Sequence, residues 1–153
     1  MRSLFTLLPE AVTSASLDSK DAILGHLAGL FASVYDLDSA NVKDSLVARE
    51  ELGSTGFGRC IAIPHARIEN LHRPVAAFIR LASPVDFDSA DGQPIDLVFG
   101  LLSPVGAGAT HLHALAAISR MMRDERMHAG LLDATSPEAL YSLLSNVIDR
   151  DAA

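Results

Sequence analysis

The apolar run Cys60-Ile-Ala-Ile-Pro64 delivers a single histidine, His65, straight after a proline. Pro64 fixes its own φ and pushes Ile63 towards extended backbone, so the imidazole is carried on a chain with few conformations. With an ordinary pKa of about 6.5, histidine is largely neutral at about pH 7 and keeps one unprotonated ring nitrogen. That nitrogen could accept a phosphoryl group, abstract a proton or bind a metal. Other residues could serve the same site. Arg49 shares a helical stripe with Val42 and Leu46, Ser54 and Thr55 lie in a glycine-rich segment with free backbone N–H groups, and His111 stands where a helix opens.

An inward arginine, a loop with hydroxyls and N–H donors, one fixed histidine and a second at a positive helix end together suit a phosphoryl group. Phosphoryl transfer depends on in-line placement and on stabilising charge over the equatorial oxygens. On this reading a ring nitrogen of His65 is the nucleophile. His111 donates to a phosphoryl oxygen or steadies the His65 ring, and Arg49 with the loop offsets negative charge. Each residue also has a plainer reading: His111 as a packed side chain, Arg49 as a snorkelling cation at a helix end, Ser54 and Thr55 as turn residues, and Cys60 as a small buried side chain. The His111-Leu-His113 pair is a poor metal clamp, because helical residues two apart point roughly 200° away from each other. A catalytic zinc site wants about three protein ligands, and only His65 and His111 can be nominated.

These residues must be held by elements that the pattern predicts. Asp18, with Asp21 after it, opens a helix over 19–34 through Ile23, Leu27, Leu30, Phe31 and Val34. A second helix spans 40–52 and stops at Gly53, after which 53–58 is a loop leading into a strand over 60–64. Residues 73–82 and 95–102 are apolar on both alternating faces, the pattern of central strands covered by helices on each side. Thr110 caps a helix over 111–122 with His111, Leu115, Ile118 and Met122 on one stripe. A short helix follows over 124–132, and the last is capped by Ser136 with Pro137 at its first position. The expected fold is α/β, a small mixed sheet sandwiched between helices, formed by a single domain over 1–153.

The composition bounds the function. The chain has 153 residues, of which 49% are hydrophobic, enough for one sizeable core. A net charge of −7 with scattered basic residues argues against a nucleic-acid footprint, and any anion site must be local. No run approaches the roughly 18 apolar residues of a membrane span. A lone cysteine excludes an internal disulfide and fits a reducing, cytoplasmic setting.

The run from Arg49 through Gly53-Ser-Thr-Gly-Phe-Gly58 to Ile61-Ala-Ile-Pro-His65, with Thr110-His-Leu-His-Ala-Leu115 further on, resembles the IIA proteins of the bacterial phosphoenolpyruvate-dependent phosphotransferase system. The similarity is to the mannitol/fructose-type group, spans about 4–144, and is greatest to the nitrogen-regulatory branch, IIA-Ntr. The resemblance implies a three-layer α/β/α fold and a phosphohistidine carrier without a cofactor. His65 then receives a phosphoryl group from an HPr-like carrier protein, His111 assists, and Arg49 supports the site. It further implies phosphorylation-dependent binding to regulatory targets, potassium transport or a sensor kinase among them. A sugar-transport IIA serving a fructose or mannitol permease, and a binding module that needs no phosphorylation, are the alternatives. Many relatives have Gly where this chain has Cys60, and Gly-Lys where it has Ala66-Arg67, side chains that would rim an incoming carrier.

Overall fold

The computed structural model describes residues 3–152, so Met1, Arg2 and Ala153 of the expected unit lie outside the described residues. The described residues form six strands in one mixed sheet and five α-helices, arranged in three α/β/α layers as the sequence predicts. The sheet order is β1 (Val12–Ala15), β5 (Val75–Val85), β6 (Ile95–Pro104), β3 (Ile61–Ala62) and β2 (Gly56–Gly58), with β4 (His65–Ile68) also paired to β6. β5 and β6 run antiparallel, whereas β1 lies parallel to β5, and β3 and β4 lie parallel to β6. Nearly every side chain of β6 is buried, as is the first half of β5, because helices cover both faces.

α1 (Lys20–Tyr35) and α2 (Ser39–Glu51) pack together; α1 also meets β5, and α2 meets β4. Ser19, not Asp18, caps α1: its hydroxyl accepts from the Ala22 N–H at 3.0 Å. Gly100 of β6 explains how closely α1 sits. A Cβ there would lie 2.8 Å from Leu27 Cδ2 and 3.0 Å from Phe31 Cε2, so a bulkier residue would push the helix off the sheet. α3 (Ala109–Arg123), α4 (Glu125–Asp133) and α5 (Pro137–Ala152) follow one another, with α3 against β6 and α5 against β1. Ser136 caps α5 as expected, its hydroxyl accepting from the Ala139 N–H at 3.1 Å.

Four local features differ from what the sequence pattern predicts. Pro64 has no N–H for the ladder, so the expected strand over 60–64 divides, and His65 opens β4 instead of ending a strand. Residues 56–58 pair antiparallel with β3 and form β2 where the glycines predict a loop; Gly56 also lies flush against Ser89, whose Cβ would be 3.0 Å from an added methyl. β2 and β3 join through Arg59 and Cys60, both at positive φ (58° and 65°), a two-residue turn matching the sheet twist; Cys60 is half-exposed there, not buried. β1 is short, with polar Thr13 and Ser14 at its centre, and the sequence pattern does not announce it.

Candidate functional site

His65 and His111 converge where β4 lies beside the C-terminal part of β6. Register places His65 opposite Leu101, and Arg67 opposite Ser103. The imidazole centroids are 5.5 Å apart at 51°. Both rings are recessed, His65 being 7% and His111 5% exposed.

Two contacts settle the proton on His65. Nδ1 lies 2.9 Å from the Ile63 carbonyl, which can only accept, so Nδ1 carries the hydrogen. Arg49 Nε–H points at Nε2 from 3.2 Å, so Nε2 presents its lone pair. Arg49 also donates from Nη1 to the Gly53 carbonyl at 3.0 Å, which ties its guanidinium to the end of α2. Burial holds the His65 pKa below the ordinary value, and the Arg49 cation pushes the same way against the Ile63 hydrogen bond. His111 is held lower still, at about 4, first by burial and then by His65 and Arg67. Two neutral imidazoles thus stand side by side, with Arg49 against His65 and the Arg67 charge felt by His111.

His111 is the third residue of α3, and its Nδ1 lies 2.6 Å from the Ser103 hydroxyl. The helix begins two residues earlier than expected. Gly108, with φ 55°, occupies the cap position without a side-chain hydrogen bond, and Thr110 is an exposed first-turn residue, not the cap. A glycine suits that backbone because it has no Cβ to clash. His113 faces away and is exposed, as are His26 and His72, while His128 pairs with Asp96 at 3.2 Å. Among the described residues no three His, Cys, Asp or Glu side chains gather as metal ligands do.

Ser54 and Thr55 stand beside this corner with their hydroxyls engaged. Ser54 Oγ donates to the Phe87 carbonyl at 2.8 Å and accepts from the Gly56 N–H at 3.0 Å. Thr55 Oγ1 donates to Glu50 Oε2 at 2.6 Å, and its N–H donates to Oε1 at 2.8 Å. Glu50 is buried, and Lys20 Nζ, 4.8 Å above the Phe87 ring, reaches its Oε1 at 2.9 Å. The sequence reading passed over Glu50 and Ser103. Both had a signal: Glu50 continues the Val42, Leu46 stripe in strict steps of four, and Ser103 is a polar residue in an apolar strand.

Residues 7–147 match the family described as "Phosphoenolpyruvate-dependent sugar phosphotransferase system, EIIA 2". The chain belongs to this EIIA 2 family. It is 43% identical over 138 residues to a nitrogen regulatory protein of Bradyrhizobium diazoefficiens, covering 90% of each chain. A nitrogen regulatory protein of Pseudomonas aeruginosa is 42% identical over 130 residues, 84% of each. The crystal structure of the nitrogen regulatory protein IIA-Ntr from Neisseria meningitidis superposes with a TM-score of 0.84 at 33% identity, covering 90% of this chain and 95% of that one. The EIIA 2 family acts in phosphoryl transfer, and the relatives just named are nitrogen regulatory proteins. No helix among the described residues is long and apolar enough to cross a membrane.

Proposed function

We propose that this protein is a cytoplasmic phosphoryl carrier and regulator, acting as one unit over 1–153, in which His65 Nε2 takes a phosphoryl group from an HPr-like carrier protein. The observation that carries the reading is the fixed ring of His65, with Nδ1–H on the Ile63 carbonyl and the Nε2 lone pair directed at Arg49. A neutral imidazole with one committed nitrogen is ready to attack, and the low pKa keeps it unprotonated.

In the transfer, the phosphorus–nitrogen bond on the donor histidine breaks as the phosphorus–Nε2 bond forms, and Nδ1 keeps its proton against Ile63. Arg49 occupies the direction of attack in the free protein, so its side chain swings aside and meets the phosphoryl oxygens with its fork of donors. If Ser103 O–H donates to His111 Nδ1, then His111 Nε2–H is free to donate to a phosphoryl oxygen. Ser54 and Thr55 contribute by holding the loop that shapes the phosphoryl pocket, since their hydroxyls are engaged within it. A protein donor is supported by apolar side chains that stand free close to these residues in sequence, Leu52 (83% exposed) after Arg49 and Leu112 (61%) beside His111.

The regulatory acceptor is favoured over a sugar permease by the nitrogen-regulatory relatives at 43% and 42% identity. Phosphate on His65 then changes affinity for regulatory targets, such as potassium transport proteins or a sensor kinase, through the charge and the Arg49 movement. Incubation with phosphoenolpyruvate and the upstream carriers should add one acid-labile phosphate, absent in His65→Ala; labelling that persists in the variant overturns the assignment. Equal target binding by both forms would leave a binding module that needs no phosphorylation.

A further inference from the structure

We propose that Glu50 is a positioning residue for His65: its buried carboxylate, through Thr55 and Ile63, holds the carbonyl that keeps the proton on Nδ1. The path is continuous. Glu50 accepts both the N–H and the O–H of Thr55, at 2.8 and 2.6 Å. The Thr55 carbonyl accepts the Ile63 N–H at 2.9 Å, and the Ile63 carbonyl accepts His65 Nδ1–H, again at 2.9 Å. Glu50, Thr55 and Ile63 are 7%, 0% and 2% exposed, so water does not stand ready to replace a lost partner.

The final turn of α2 therefore grips the ring from two sides. Arg49 addresses Nε2 directly, while its neighbour Glu50 reaches Nδ1 through the backbones of two residues, Thr55 and Ile63. A buried carboxylate is costly to hold unless its acceptor sites are filled, and here three donors fill them, with Lys20 Nζ the third. The residue type follows from the donors. A glutamine amide has one acceptor oxygen and a donor NH₂ group, so it cannot accept from the Thr55 N–H and O–H on separate oxygens as the carboxylate does. Coulombic attraction to Glu50 also works against the burial and Arg49 effects on His65.

The tautomer part of this inference stands on geometry alone, and the rate part rests on His65 being the phosphoryl acceptor. The test compares wild type, Glu50→Gln and Thr55→Val by ¹⁵N NMR of the His65 ring in the unphosphorylated protein. It then measures kcat and KM for phosphoryl uptake from phosphoenolpyruvate through the upstream carriers. Wild type should show a protonated Nδ1 and an unprotonated Nε2. Glu50→Gln should move both nitrogens towards averaged shifts and lower kcat roughly tenfold, the scale of one charge-assisted hydrogen bond, with KM for the donor unchanged. Thr55→Val, which removes one donor and keeps the carboxylate, should move the shifts the same way by less, and it carries the test if Glu50→Gln does not fold. Wild-type ring shifts in the folded variants, or a loss confined to KM, overturn the proposal. Ring shifts that move in a protein taking no phosphate on His65 would defeat the transfer reading and support the positioning role; phosphate uptake with unmoved shifts would do the reverse.

Discussion

A histidine pair packs beside one end of strand β6 and a histidine–carboxylate pair sits at the other. Near the strand's C-terminal end, Ser103 holds His111 beside His65, and the neighbouring cations are Arg49 at His65 and Arg67 near His111. Near its N-terminal end, Asp96 meets His128 of α4 at 3.2 Å, and burial pulls the Asp96 carboxyl above its ordinary range despite His128. An imidazole beside a carboxylate is set up to pair charges, whereas one beside a guanidinium is set up to stay neutral and offer a lone pair. The same kind of side chain, packed from other elements against one strand, is thus steered differently by its neighbours. One end ties a helix to the sheet, and the other holds an unprotonated ring nitrogen towards Arg49.

The contrast breaks most sharply at Arg49. Arg49→Leu should lower phosphoryl uptake by roughly a hundredfold, the scale of one lost charge-stabilising donor, with the fold retained by circular dichroism. A rate near wild type would show that the guanidinium merely covers the ring. His111→Gln should cost roughly tenfold in kcat, the scale of one hydrogen bond to a charged oxygen, with the donor KM little changed.

The pH dependence follows from the lowered histidines. Because the folded pKa of His111 is about 4 against 6.5 for the ordinary group, the unfolded chain binds more protons between those values. Stability conferred by the neutral ring is complete above about pH 6.5 and is lost as pH falls towards about 4. His65, shifted in the same direction, adds to the loss. Urea midpoints at pH 7 and pH 5 should differ less in His111→Gln than in wild type.

At the other end of β6, His128→Gln should cost under about 1 kcal/mol in stability, as a partly exposed pair does, and leave phosphoryl uptake unchanged. A large drop in uptake would mean that the two ends are coupled. The smallest effect belongs to the hairpin turn. Cys60→Gly relieves a positive φ of 65° and should stabilise by roughly 0.5–1 kcal/mol, read as a higher urea midpoint.

Much of this arrangement is legible in the chain. The apolar phases announce α1, α2, α3 and α5, two-sided burial announces β5 and β6, and Pro64 announces the restricted approach to His65. The missed features depend on partners distant in the chain or on shape. Glu50 looks like one more acidic residue until Lys20 and the Thr55 backbone are folded against it. Gly56 looks like a loop breaker until Ser89 is placed against it, and Gly108 starts α3 with backbone geometry alone, so Thr110 draws the eye as the cap. β1 is too short and polar to carry a period, and only its pairing with β5 defines it.

Which nitrogen of His65 reacts decides whether the proposed transfer takes place. Phosphorus–nitrogen couplings in ¹⁵N-labelled protein, phosphorylated and kept at alkaline pH, report this directly. The phosphoryl group should be bonded to Nε2 of His65, with Nδ1 still carrying its hydrogen towards Ile63. A phosphorus coupling to Nδ1, or to a histidine other than His65, would contradict it.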